Sequence, residues 1–204
     1  MPKISAVTFT NPKEYHGRLR ELGVVPAAPH TWEFVARLTW VELSDLLLVR
    51  AQENSPEVTR LTSVPNQIMI VFPMGIRPSC LRRGRRLGMR DMVFQRCGER
   101  AYQFIGRTNN WGMILVSEKR LLAHGKAFAG RDFELPEIDT IFRPARSAGT
   151  CLRNLHRKIC RVAEMKSHII VHAETARAIE NELLDALVKC LMSVDDPTEG
   201  GTIR

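Results

Sequence analysis

"LRRGRRLGMRDMVFQRCGER", Leu81 to Arg100, carries seven arginines, four of them in the run "RRGRR". Such a run is either a grip on nucleic acid or a tight turn that happens to be basic. Its flanks decide. "IRPSCL" stands before it and "LGMRDMVF" after it, both strand-like, with a glycine at the centre. A hairpin crosses between strands in this way: Gly84 takes a positive φ, and the arginines beside it point to water. A DNA-reading segment needs a helix or long β-ribbon carrying polar side chains for base edges, and none is evident nearby. The expectation is a turn, leaving at most a weak, non-specific attraction to phosphates.

Outward from the hairpin, the pattern from Thr31 to Val116 is strand-like. "TWEFVARLTWVELSDLLLVRA" holds two runs rich in Trp, Phe, Val and Leu, with "ELSD" between them. "NQIMIVFPMGI" is a compact apolar run, short enough for a buried strand. "DMVFQRC", "RAYQFIG" and "WGMILVS" follow, with Gly98 and Asn109-Asn110 supplying turn chemistry. Many short strands at this spacing predict a β-sandwich or barrel.

Helical spacing appears on either side. "NPKEYHGRLREL" predicts a short first helix with Asn11 as N-cap and Pro12 at its first position. "SEKRLLAHGKAF" predicts another, capped by Ser117 and weakened by Gly125. "AGRDFELPEIDTIFRPARS" reads as irregular, with three residues of strand at best. Then Leu152, Leu155, Ile159 and Val162 recur at helical spacing, with Ser147 or Thr150 as cap. A further helix carries Ala176, Ile179, Leu183, Leu187 and Leu191 in one stripe. The two helices, net +4 from Arg153 to Lys166 and net −2 from Ala173 to Met192, should pack antiparallel across "SHIIVH". The second has more apolar face than one partner helix covers. That surplus lies either on the barrel or in a dimer interface formed by Ile179, Leu183, Leu187 and Leu191. The ending "SVDDPTEGGTIR" reads as a polar tail.

Composition narrows the function. With 204 residues the chain can bury a large core. Its +8 charge is concentrated, with eight arginines against Asp91 and Glu99 between Arg77 and Arg100. That permits a polyanionic partner without requiring one. The five cysteines form no C-x-x-C pair and read as reduced thiols, which places the chain in the cytoplasm. No apolar window is long enough for a membrane span, so no membrane partner is expected.

Catalytic patterns are missing: no G-x-S-x-G, P-loop or G-x-G-x-x-G occurs. The six histidines never fall as H-x-H or H-x-x-H, and His168 and His172, four apart, lack a carboxylate to complete a metal site. No catalytic residue, metal or cofactor is expected, and the chain reads as no enzyme. A barrel can instead enclose a small ligand. The alternating apolar residues Trp40, Met69, Val71, Phe94, Tyr102 and Trp111 are the candidate pocket; Trp32, Phe34, Phe104 and Met113 share the pattern. Filling the core is the plainer role for any one of them.

In order, "TSVPNQIMIVFPMGI", "RRGRRL", "GMRDMVFQRCGERAYQFIG" and "NNWGMILVSEKRL" resemble the N-terminal sensor domain of AraC-type bacterial transcription regulators. "LGMRDMVF" keeps that family's turn aspartate, Asp91, but has Met89-Arg90 where relatives carry proline-glycine. "FTNPKEYHGRL" and the closing helix pair are also similar. The resemblance implies an α+β fold, a cupin-like, jelly-roll-like β-barrel followed by an antiparallel helix pair. It divides the chain into residues 1–146, barrel with helices; 147–192, dimerisation element; and 193–204, linker. It implies a homodimer, a small-molecule effector in the barrel, and DNA contact only through a separate C-terminal domain, this chain being a sensor fragment. A cupin-like small-molecule enzyme and a non-specific nucleic-acid-binding module are the alternatives.

Overall fold

In the computed structural model, the described residues are 2–26, 33–62, 65–75, 80–96, 101–106, 109–130 and 133–196. Trp32, Cys97, Gly98 and His30 lie outside them.

The alternation in "ARLTWVE" and "LLLVRAQE" folds as a hairpin, β3 (Ala36–Glu42) and β4 (Leu46–Glu53). They join β1 (Lys3–Phe9), β6 (Gln67–Pro73), β9 (Met92–Gln95), β11 (Asn109–Ser117), β12 (Thr140–Pro144) and β13 (Val194–Asp196) in one antiparallel sheet. Its order is β1-β3-β4-β11-β6-β9-β12-β13. A smaller sheet, β2-β5-β10-β7-β8, contains β2 (Val24–Pro26), β5 (Glu57–Leu61), β7 (Cys80–Arg82), β8 (Arg85–Arg86) and β10 (Ala101–Ile105). The two sheets form a sandwich that does not close into a barrel. The α+β class and the closing helix pair stand as expected from the sequence.

The large sheet is covered on both faces, which is why "IMIVFP", Ile68 to Pro73, is apolar throughout rather than alternating. Ile68, Ile70 and Phe72 enter a core shared with the helices. Met69 and Val71 enter the other core, between the sheets, with Val24, Leu61 and the first helix. That helix, α1 (Pro12–Glu21), starts as its sequence predicts: Asn11 Oδ1 accepts from Lys13 N at 3.0 Å. The helix-side core contains Leu121 of α2 (Glu118–Ala129), Leu152 and Ile159 of α3 (Arg146–Ile170), and Leu183 and Leu187 of α4 (Ala173–Met192).

His156 fixes α3 to the sheet. Its Nε2–H donates to Val49 O at 3.1 Å, and its ring meets Phe72 edge-on at 5.2 Å. Gly112 makes this approach possible, because a Cβ there would stand 2.6 Å from the Phe72 ring and 3.1 Å from His156.

Several local expectations are corrected. Gly84 and Arg83 turn the hairpin with φ of 77° and 49°, and β7 pairs β8 as foreseen. Arg82, however, does not point to water. Strand alternation aims it inward, where Nη2 donates to Gln95 Oε1 at 3.0 Å and faces Asp139 at 3.6 Å. Asn109 and Asn110 open β11 rather than forming a turn. Ser117 makes no capping hydrogen bond, and Gly125 seats the Phe133 ring instead of merely weakening α2. The third helix begins at Arg146 after Ala145, without a side-chain cap, so neither Ser147 nor Thr150 caps it. It absorbs most of "SHIIVH", kinking at Lys166 and leaving only Val171 and His172 as the link. The segment read as irregular supplies the five-residue β12. Beyond it, Val194–Asp196 pair with β12 where the sequence reads as tail.

Candidate functional site

Between the sheets, Val71 of β6, Leu87, Gln103 and Ile105 of β10, and Asn109 and Trp111 of β11 line a narrow cavity. Its lining is mostly apolar, with the amides of Gln103 and Asn109 as polar handles, the arrangement small-ligand sites use to orient what they hold. The room clear of side chains is about 20 Å³, enough for little more than one water. Anything larger must part the lining.

Trp111 joins this cavity to a buried polar network. Its Nε1–H donates to Glu53 Oε1 at 3.0 Å, and the Tyr15 hydroxyl of α1 donates to the same oxygen. Desolvation pushes the Glu53 carboxyl up to about 7, against the pull of the Tyr15 and Trp111 hydrogen bonds toward the ionised form. Burial, followed by the charge of Glu53, raises the Tyr15 phenol as well. One turn of chain later, Glu57 faces His16 Nε2 at 2.9 Å, both side chains buried. Residues 53–57 thus hold α1 on the end of the sandwich through two carboxyls.

The residues predicted for the pocket separate by strand phase. Val71 and Trp111 line the cavity. Met69 and Trp40 share the inter-sheet core, with Trp40 capped by the Arg18 guanidinium 4.1 Å above its ring. Phe94 lies on the opposite face among the helices, because its partner Ile70 points there; Val93, opposite Val71, is the inward residue. Tyr102 is 57% exposed, since Gln103 and Ile105 are the inward residues of β10. A shift of one residue reverses the face, and the alternation alone left that phase open.

The four residues proposed for a dimer lie on α4. Leu183 and Leu187 are fully buried against this chain's own sheet and helices, and Ile179 and Leu191 pack beside them half-buried. Glu53, Glu57, Tyr15 and His16 were not singled out by sequence reasoning. The available signal was the phase of "LLLVRAQE", in which Val49, Ala51 and Glu53 share a face. Among the described residues no three His, Cys, Asp or Glu side chains cluster as a metal site, and no helix is long and apolar enough to cross a membrane.

No family model matches the chain, and no curated protein matches it. Among solved structures, the putative ethanolamine utilization protein EutQ of Salmonella typhimurium LT2 matches at TM-score 0.29 and 11% identity, over 57% of this chain and 97% of its own. Vicilin of Corylus avellana matches at TM-score 0.28 and 10% identity, over 67% of this chain and 36% of its own. The crystal structure of the AraC-like transcriptional activator CuxR matches at TM-score 0.64 and 16% identity, over 97% of this chain and 73% of that one. From end to end, this chain shares the fold of an AraC-like activator.

Proposed function

We propose that the chain is the effector-sensing and dimerisation part of an AraC-type transcription regulator, which acts on DNA through a separate domain. One observation carries the reading. In a fold shared with such an activator, Trp111 both lines a cavity and holds the carboxyl that anchors α1. A ligand that parts the lining displaces the indole, releases Glu53, and so changes how Tyr15 seats α1. The effect on a regulator requires the ligand to prefer one of the two arrangements.

Pairing is assigned to the outer side of the helix pair. Leu183 and Leu187 are occupied within the chain, whereas Met165, Ile169 and Val171 stand exposed near the kink at Lys166. Native mass spectrometry tests both parts. A mass at twice the 23.2 kDa of one chain, with a bound small molecule, supports them. Met165→Asp should return the protein to monomer with its circular dichroism unchanged. A bare monomer in the parent protein overturns the dimerisation reading.

A further inference from the structure

A second cavity lies where the turn between β8 and β9 meets the start of α3, and it has about 470 Å³ of room. That falls within the range of small-molecule sites, unlike the narrow space beside Trp111. Its polar wall is built from arginines: Arg90 from the turn, and Arg146, Arg153 and Arg157 from α3, with Thr150 and Asn154 between them. The helix positions, spaced at three and four, form one face. No carboxylate lines it.

Arg90 Nη2 donates to Pro144 O at 3.2 Å and Arg157 Nη1 to Asn154 Oδ1 at 2.7 Å, so the charge left without a counter-ion is that of Arg146 and Arg153. Arg146 opens α3, where the helix dipole is already positive, and the first turn contains no acidic residue. Arg146 and Arg153 have no ion pair among the described residues, while nearby Asp91 is engaged by Arg143 at 2.8 Å and Arg85 at 3.7 Å. Arg153 also buries its Nη1 away from solvent without a hydrogen-bond partner. Burial lowers the affinity of that guanidinium for its proton; Cys190 opposes the shift, and the charges of Arg157 and Arg90 add to it. Four like charges around one hollow repel one another, and an anion held among them relieves that repulsion.

We infer that this hollow binds a small organic anion bearing phosphate groups. Phosphate supplies charge to more than one guanidinium and oxygens spaced for the arginine fork. The hollow exceeds a bare inorganic ion, and its concave shape suits a compact ligand better than a duplex backbone. One wall belongs to the sandwich and the other to the helix pair, so an occupant draws together two surfaces that otherwise repel. This site stands apart from the cavity at Trp111, and its failure would leave that reading intact.

The test titrates the full chain with inorganic pyrophosphate in 150 mM salt, read by calorimetry and by thermal unfolding, with sodium sulfate at equal ionic strength as control. Saturable binding and a raised Tm are expected with pyrophosphate. Arg146→Gln with Arg157→Gln, both exposed and so compatible with folding, should weaken binding at least tenfold. Arg83→Gln with Arg86→Gln removes the same charge from the hairpin and should leave binding within twofold. Equal losses in the two double variants would reduce the effect to net charge and overturn the inference. So would the absence of saturable binding, an equal response to sulfate, or binding of a short DNA duplex through these arginines without any response to pyrophosphate.

Discussion

Trp111 and Glu53 are joined by a 3.0 Å hydrogen bond from indole to carboxylate, buried between β11 and β4. The bond places a group that titrates near neutrality beside the cavity's largest side chain. Trp111→Phe keeps an aromatic ring but removes the donor that favours ionised Glu53. Its carboxyl should then rise further above 7, at a cost of about 1–2 kcal/mol in stability. In the parent protein, tryptophan emission should step near pH 7; the step should vanish in both Trp111→Phe and Glu53→Gln. A step that persists in Glu53→Gln would assign the titration to another group.

The pH dependence of stability sets Glu53 against His156. Glu53 titrates at about 7 in the folded chain and at 4.5 ordinarily. Its contribution is therefore fully present below 4.5 and lost as pH rises through 7. Desolvation lowers His156 to about 4 from 6.5. There the unfolded chain takes up a proton that the folded one refuses, so stability falls as pH drops from 6.5 to 4. Each contributes about 3 kcal/mol at roughly 1.4 kcal/mol per pH unit. Between 4.5 and 6.5 the two nearly cancel. Glu53→Gln should expose the histidine, making urea unfolding easier by about 3 kcal/mol at pH 4 than at pH 7, relative to the parent protein.

Glycine substitutions should have opposite signs at two positions. Gly112→Ala drives a methyl to 2.6 Å from the Phe72 ring and should cost about 1–3 kcal/mol, read by chemical denaturation. Gly17→Ala, in the middle of α1 with nothing within 4 Å, should stabilise by about 0.5–1 kcal/mol.

Within the basic hairpin, burial separates two neighbouring arginines. Arg82→Ala leaves Asp139 and Gln95 buried without their guanidinium and should cost about 3–5 kcal/mol. Arg86→Ala, exposed on β8, should stay within about 0.5 kcal/mol. Comparable denaturation midpoints for the two variants would remove the distinction.

Local chemistry was legible in the chain. Asn11 before Pro12 set the start of α1, Gly84 set the hairpin, and three- and four-residue apolar spacing set α3 and α4. These signals act within a few residues, through a cap, a dihedral or a helical face. The resemblance carried by the order of strands also matched the fold. Which face each strand turns inward was decided only by the assembled sandwich. "IMIVFP" of β6 and "MVF" of β9 are apolar at every position because helices cover one side and the second sheet the other, so alternation could not separate Val93 from Phe94. The buried pairing of Trp111 with Glu53 spans 58 residues, and the arginine hollow joins Arg90 to α3 across more than 50. Contacts at such separations have no local period to announce them, and packing alone determines them.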